Sequence, residues 1–149
     1  MNEFLSMLGD FIPKFDKLLV ALGGIGGAIA WAVGGFDPGM QWLCVFIAAD
    51  YLTGNLAAFK TGAWSSNDGF KGIIKKVVIL ALVAICNGVD QVTGAEVVRT
   101  VAISSLCLNE AGSVLENIDR LGFGSVIPSG VRKCVKQLRE KTEGSKSDE

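Results

Sequence analysis

Apolar residues run along this chain in long stretches with few charges. The first, from Leu18 to Phe36, contains no charged side chain. Each later stretch is interrupted by only one or two acids, which are Asp50, Asp90, Glu110 and Glu116. A helix needs about 20 mainly apolar residues to cross a bilayer. The pattern therefore predicts four membrane spans, at about 18–36, 40–59, 73–92 and 97–119.

Both ends of the chain have amphipathic patterns outside this transmembrane domain at 18–119. In residues 1–17 the apolar side chains recur at helical spacing on one broad face, which predicts a helix lying on the membrane surface. A polar loop is predicted at 60–76. A cytoplasmic basic segment, 120–142, contains a short basic helix, and the polar tail 143–149 is predicted to be disordered. The fold class is thus an all-α membrane protein.

The basic residues are distributed unevenly between the two sides that four spans would define. Of the 14 Lys and Arg residues, only Arg99 falls on the side of the first and third connections. The others precede the first span, lie between the second and third, or follow the fourth. Because cytoplasmic segments next to spans are rich in Lys and Arg, this distribution predicts that both termini are cytoplasmic.

Small residues mark two faces that are suited to close helix packing. Gly23 and Gly27 are four residues apart in the first span, a spacing that lets helix backbones approach each other in lipid. Asp50, Gly54 and Ala57 share one face of the second span. A face that is both small and polar is expected to pack against protein rather than lipid, within one chain or between copies.

Polar residues form a stripe along the fourth span, and Asp90 lies near the far end of the third. The members of the stripe, including two residues that widen it, are Ser105, Asn109, Glu110, Ser113, Glu116 and Asn117. Two interpretations are open. The polar groups either hydrogen-bond between helices and fix the fold, or line an aqueous path once several chains assemble.

The composition excludes several classes of function. Hydrophobic residues make up 50% of the chain and the net charge is −1, so there is no basic surface of the kind that binds nucleic acid. The chain has no His, and its four Cys are widely spaced, so neither a metal site nor a cofactor is predicted. No nucleophile motif or phosphate-binding loop is present, which argues against an enzyme.

Three functions remain open from the residues alone. The chain is a pore-forming protein, a small ion or proton channel or transporter that uses its intramembrane carboxylates, or a membrane scaffold. The lack of His and of inverted repeats disfavours the transporter.

Several short motifs, in order along residues 43–140, resemble the phage lysis and toxin-secretion holin family. They are 50–54 (Asp-Tyr-Leu-Thr-Gly) with Ala57 and Ala58, 65–66 (Ser-Ser), 69–73 (Gly-Phe-Lys-Gly-Ile) with Lys75 and Lys76, Asp90, 109–110 (Asn-Glu) with Ser113, 116–117 (Glu-Asn), and 121–128 before a basic helix. The resemblance implies a holin, which accumulates in the bacterial cytoplasmic membrane, forms homo-oligomers among the lipids and permeabilises the membrane. It further implies an endolysin or a secreted toxin as a functional partner, without direct binding.

Overall fold

The computed structural model describes residues 19–144, with side chains to residue 142, and this part of the chain is helical without strands. The coarse prediction of an all-α fold is confirmed. The helices are α1 (Leu19–Ala32), α2 (Pro38–Lys60), α3 (Ser66–Thr93), α4 (Val98–Arg120) and α5 (Ser129–Gly144), with a 3₁₀ turn at Gly124–Val126. The helix predicted at 1–17 lies outside the described residues, as does most of the tail predicted to be disordered.

Helix α4 is the central element. It packs most extensively against α2, and it also contacts α3, the 3₁₀ turn and α5. Direct contact between α2 and α3 is small by comparison, so α4 holds these two helices together. Two ends of the bundle are named here. The hairpin end contains the 61–65 connection between α2 and α3, and the clamp end contains the 33–37 and 94–97 connections.

The apolar core lies in the half of the bundle toward the clamp end. Its buried members are Val33, Met40, Leu43, Ile79, Val83 and Ile103. In contrast, large apolar side chains on the outer faces of α2 and α3 are exposed, among them Trp42 and Val78. Of the described helices, α2 and α3 are long and apolar enough to cross a membrane, and α1 is apolar but shorter.

The hydrogen bonds at the helix ends explain where α2 and α3 begin and end. Asp37 accepts a hydrogen bond from the Met40 amide at 2.9 Å, directly before Pro38 opens α2. Ser65 accepts one from the Asp68 amide at 3.2 Å and so caps α3. Gly94, with φ of +72°, ends α3 in a left-handed conformation that suits glycine.

The prediction of a loop at 60–76 is wrong for residues 66–76, because α3 already begins at Ser66. The polar residues from Ser66 to Lys76 belong to the first three turns of α3, and only 61–65 forms a connection. In these turns Gly72 packs against the ring of Tyr51, where a β-carbon would lie 3.3 Å from Cε2. Three turns after the Ser65 cap, the same helix carries Lys76 into the interior of the bundle.

Candidate functional site: a charged cluster between three helices

Lys76 lies between two carboxylates that come from different helices. Its ammonium group, on α3, donates hydrogen bonds to Oδ2 of Asp50 on α2 and to Oε2 of Glu110 on α4. Only 2% of the Glu110 side chain is exposed, against 11% for Lys76 and 14% for Asp50. One cation therefore joins all three helices at one point.

The cluster lies at one level of the bundle because the three helices meet there in matching register. A helix rises about 1.5 Å per residue, so Asp50 lies about 15 Å from the α2 end at Lys60. By the same geometry, Glu110 lies about 15 Å from the α4 end at Arg120. Lys76 lies at a similar distance from the start of α3. The charges are thus in the middle part of helices whose lengths match a bilayer.

Asn117 completes the polar contacts of Asp50. Its Nδ2 donates to Oδ1 of Asp50 at 3.1 Å and to Oγ1 of Thr53 at 3.3 Å. Asn117 lies next to Gly54, where a β-carbon would be in ordinary van der Waals contact with the same Nδ2 at 3.4 Å. Both carboxylate oxygens of Asp50 are therefore occupied. A buried polar group without a partner costs about 1–3 kcal/mol, and the described side chains contain none.

A polar cleft leads from the cluster toward the hairpin end. Its volume is about 220 Å³, and Asp50, Lys76, Asn55 and Trp64 are among the residues that line it. The Trp64 indole donates to Oδ1 of Asn55 at 3.3 Å, beside the stacked ring of Phe59. On the other side of the cluster, the apolar core separates it from the clamp end. This cleft therefore offers water a route to the charges from the hairpin end.

At the clamp end, Arg99 of α4 forms hydrogen bonds with the connection between α1 and α2. Its guanidinium donates to the carbonyl oxygens of Val33 and Gly35 and to the carboxylate of Asp37. The hydrogen bond from Arg99, supported by the one from the Met40 amide, lowers the pKa of Asp37 below its ordinary value. This contact fixes the α1–α2 connection onto the start of α4.

Two buried residues of α3 reinforce the clamp. Asn87 donates to the Ala32 carbonyl at 2.9 Å and lies so close to Gly34 that a β-carbon there would be 2.3 Å from Oδ1. Asp90 accepts hydrogen bonds from the amides of Val98 and Arg99 at 3.0 and 2.8 Å. Since the α4 N-cap residue itself offers no side-chain bond, Asp90 caps α4 from the neighbouring helix.

Comparison with known proteins identifies the family. The profile of the bacteriophage holin family matches residues 27–140, a range that contains the charged cluster, the clamp and most of α5. The chain belongs to the bacteriophage holin family. The resemblance seen in its motifs is thereby confirmed.

Relatives of this holin-family protein come from species of Listeria and Clostridium. An uncharacterized protein of Listeria innocua is 40% identical over 107 residues, which is 71% of this chain and 76% of the relative. One from Listeria monocytogenes is 41% identical over 115 residues, covering 76% and 79%. One from Clostridium perfringens is 36% identical over 119 residues, covering 78% and 87%. No solved structure gives a significant match.

In this holin-family chain, the residues of the predicted polar stripe have different surroundings. Glu110 and Asn117 are buried against α2 and α3, whereas Glu116 is exposed and pairs with Arg139 of α5 at 3.5 Å. The remaining three, Ser105, Asn109 and Ser113, are half-buried on α4. The stripe is therefore divided between the interior of the bundle and its α5 side.

The residues predicted to pack helices also have different surroundings. Gly54 and Ala57 lie on the side of α2 that faces α4, where Ala57 is 2% exposed. Asp90 caps α4. At Gly23 and Gly27 a β-carbon would meet nothing within 4 Å in the described part of the holin-family chain. These two glycines therefore face outward from α1.

Sequence reasoning missed Lys76 as a member of the site and assigned it to the polar loop predicted at 60–76. A signal for its burial was present, because Lys76 shares one helical stripe with the later buried positions of α3. Those positions, spaced by three or four residues, are Ile79, Val83, Asn87 and Asp90. Arg99 was missed as well. Arg99 is the single basic residue on the side of the first and third connections, and this observation served only to predict the orientation of the chain in the membrane.

Proposed function

We propose that this protein is a holin that oligomerises in the bacterial cytoplasmic membrane and forms a lesion there. The lesion releases an endolysin to the cell wall, or a large toxin from the cell. The observation that carries the proposal is the family match, which covers every helix of the charged cluster.

The proposed topology has four spans, with the hairpin end in the cytoplasm and the clamp end outside. Lys60, Lys71 and Lys75 are at or near the hairpin end, and Arg99 is at the clamp end, in agreement with the preference for cytoplasmic positive charge. Helix α4 is the least apolar of the four proposed spans. Its buried polar residues, Glu110 and Asn117, are turned toward α2 and α3, so it can cross the membrane shielded from lipid.

The charged cluster explains how a single copy of the protein can stay in the membrane without permeabilising it. An unpaired charge in a bilayer is costly, but Lys76, Asp50 and Glu110 satisfy one another within one chain. A single copy can therefore accumulate in the membrane without exposing charge to lipid. In the lesion we place the half-buried and exposed part of the stripe, Asn109, Ser113 and Glu116, against water between neighbouring copies.

The polar cleft favours a second candidate, a small ion or proton channel. It connects the charged cluster with the hairpin end, as one half of a conduction path would. Such a channel would leak ions while folded enzymes stayed inside the cell. A membrane scaffold, the third candidate, would release neither.

Inducible expression with a cytoplasmic reporter enzyme tests the proposal. We expect an abrupt release of the reporter after a delay, because lesions open only above a critical density of chains. Glu116→Gln and Asn109→Leu are expected to shift the time of release, and Ser104→Ala, an exposed α4 residue whose hydroxyl bonds within its own helix, serves as the matched control. Ion leakage without release of the enzyme would contradict the holin assignment and favour the channel. Unchanged timing in both stripe variants would contradict the lining role alone.

A further inference from the structure

Helix α5 folds back along the hairpin-end part of α4, and two ion pairs define this arrangement. Arg132 near the start of α5 pairs with Asp119, and Arg139, seven residues later, pairs with Glu116. Arg139 also lies over Gly112, where a β-carbon would be 3.3 Å from the guanidinium. The two helices are therefore antiparallel, and α5 lies beside the end of α4 that is proposed to be at the cytoplasmic surface of the membrane.

A groove of about 410 Å³ lies between α4 and α5. Leu115 and Val135 contribute apolar lining, and Arg132, Lys136 and Arg139 contribute three cationic side chains. Two acids, Glu116 and Glu140, also line it, and Arg132 is paired with Asp119 beside it. The excess of positive charge therefore comes from α5 as a whole, which carries five Lys and Arg residues and two Glu. Basic pockets at the cytoplasmic ends of membrane helices suit the phosphates of anionic lipids.

The acids of the groove pair only weakly with its cations. Lys136 and Glu140 are 3.8 Å apart with side chains 75% and 63% exposed, and the Arg139–Glu116 pair is 3.5 Å apart. Exposed pairs of this kind contribute at most about 1 kcal/mol. A phosphate group, which accepts several charge-assisted hydrogen bonds from Arg and Lys, can therefore compete with Glu140 for Lys136 and with Glu116 for Arg139. Arg132, in contrast, is held by two hydrogen bonds to Asp119.

An apolar stripe on α5 continues from the groove to the surface. Val131, Val135 and Leu138 share one helical face, and Val131 and Leu138 are 47% and 46% exposed. A free phosphate ion would use the cations alone and leave this stripe in water. A lipid would cover it with an acyl chain, and a helix with one basic and one apolar face is typical of a membrane interface.

We propose that the groove between α4 and α5 binds the headgroup of an anionic phospholipid of the cytoplasmic leaflet. Lys136 and Arg139 contact its phosphate, and the Val131–Val135–Leu138 stripe contacts its acyl chain. The proposal rests on the membrane location and the cytoplasmic position of α5 proposed above. It adds a specific lipid site that holds α5 at the membrane.

The test uses the full chain, purified in a neutral detergent and titrated with phosphatidylglycerol, phosphatidylcholine or inorganic phosphate. Retained lipid is measured by native mass spectrometry, and the unfolding temperature is measured in parallel. We expect phosphatidylglycerol to be retained and to raise the unfolding temperature, and the other two probes to have little effect. The paired variant Lys136→Gln with Arg139→Gln is expected to weaken phosphatidylglycerol binding about tenfold or more.

Two α5 lysines outside the groove provide a control of equal charge. Lys133→Gln with Lys141→Gln is expected to weaken binding less than about threefold. Lys136→Gln alone is measured as well, since it leaves the Arg139 ion pair with α4 intact. If the control pair weakens binding as much as the groove pair, or if phosphatidylcholine binds equally, the site is overturned. Stabilisation by inorganic phosphate alone would overturn the lipid as the ligand.

These measurements need no lesion, so they separate the two proposals. Retained lipid binding in a chain that never releases the reporter enzyme would contradict the holin function and support the lipid site. Reporter release at the expected time by a chain that binds phosphatidylglycerol no better than phosphatidylcholine would support the holin function and contradict the lipid site.

Discussion

At the scale of single residues, Lys76 makes the most consequential contacts in the bundle. It is the cation of a buried cluster with two carboxylates, Asp50 and Glu110. A buried ion pair does not stabilise a fold simply because its charges attract, since the desolvation cost offsets much of the attraction. Removing one partner is much more costly, because the other charges remain buried without compensation. Lys76 is therefore harder to replace than the adjacent Lys75.

We expect Lys76→Met to lower the free energy of unfolding by about 3–5 kcal/mol, because Glu110 and Asp50 then repel each other inside the bundle. Thermal or denaturant unfolding in detergent measures this. Lys75→Met is the matched control, since the adjacent lysine is exposed, and its effect should stay within about 0.5 kcal/mol.

A variant in which all three cluster residues are uncharged shows whether Lys76→Met destabilises the fold through lost charge pairing or through lost packing. Lys76→Met combined with Asp50→Asn and Glu110→Gln is expected to regain most of the lost stability, because no uncompensated charge remains. If the triple variant is as unstable as Lys76→Met alone, the explanation by uncompensated charge is incorrect.

At the scale of elements, α3 shows how much the sequence could predict. Its apolar part, 77–89, indicated a buried or membrane helix from composition alone. Its first turns are polar on most faces, and they are helical because Ser65 caps them and Gly72 packs on Tyr51. The Ser65 cap is local and could have been predicted from the sequence. The Gly72–Tyr51 contact joins residues 21 positions apart, so the pattern of α3 alone could not indicate it. The same holds for Asp90, whose role as the cap of α4 depends on how two helices meet.

The clamp between the α1–α2 connection and α4 is expected to weaken at acidic pH. Because the pKa of Asp37 is lowered in the folded protein, its contribution to stability is complete above the ordinary pKa of about 4. The contribution disappears as the pH falls through the lowered value, where the carboxylate takes up a proton. Unfolding temperatures of the natural chain and of Asp37→Asn, measured side by side, isolate this effect from the other acids.

The difference between these two chains should be constant from about pH 8 to about pH 5 and should shrink below about pH 4. A difference that disappears already near neutral pH would show that Asp37 is not held ionised by Arg99. Replacing Glu96, an exposed acid at the same end, with Gln is expected to leave the acidic change in stability intact.

At the scale of the whole molecule, the bundle has two unlike sides. The outer faces of α2 and α3 expose large apolar side chains such as Trp42, Leu52 and Val78. The side covered by α5 exposes charged residues such as Lys133 and Lys136. A membrane protein of this form directs its first side toward lipid, and its second side is suited to water or headgroups.

The proposed orientation predicts which positions react with a membrane-impermeant thiol reagent added to whole cells. Phe36→Cys at the clamp end should be labelled, and Asn67→Cys near the hairpin end should be spared until the cells are opened. The natural chain, with its own four Cys, gives the background. The opposite labelling pattern would reverse the proposed topology, and labelling of both positions would contradict a fixed orientation.

The long sequence separations within the charged cluster have a consequence for how the protein is made. Lys76 follows Asp50 by 26 residues, so this first pair can form once α3 has left the ribosome and before α4 has been made. Glu110 comes 34 residues after Lys76 and is synthesised last. Until α4 arrives, the hairpin of α2 and α3 is nearly neutral in net charge at its centre but lacks its main packing partner. Biosynthesis therefore imposes an order of assembly in which α4 inserts beside a preformed hairpin, and a chain interrupted before Glu110 would remain an incomplete bundle in the membrane.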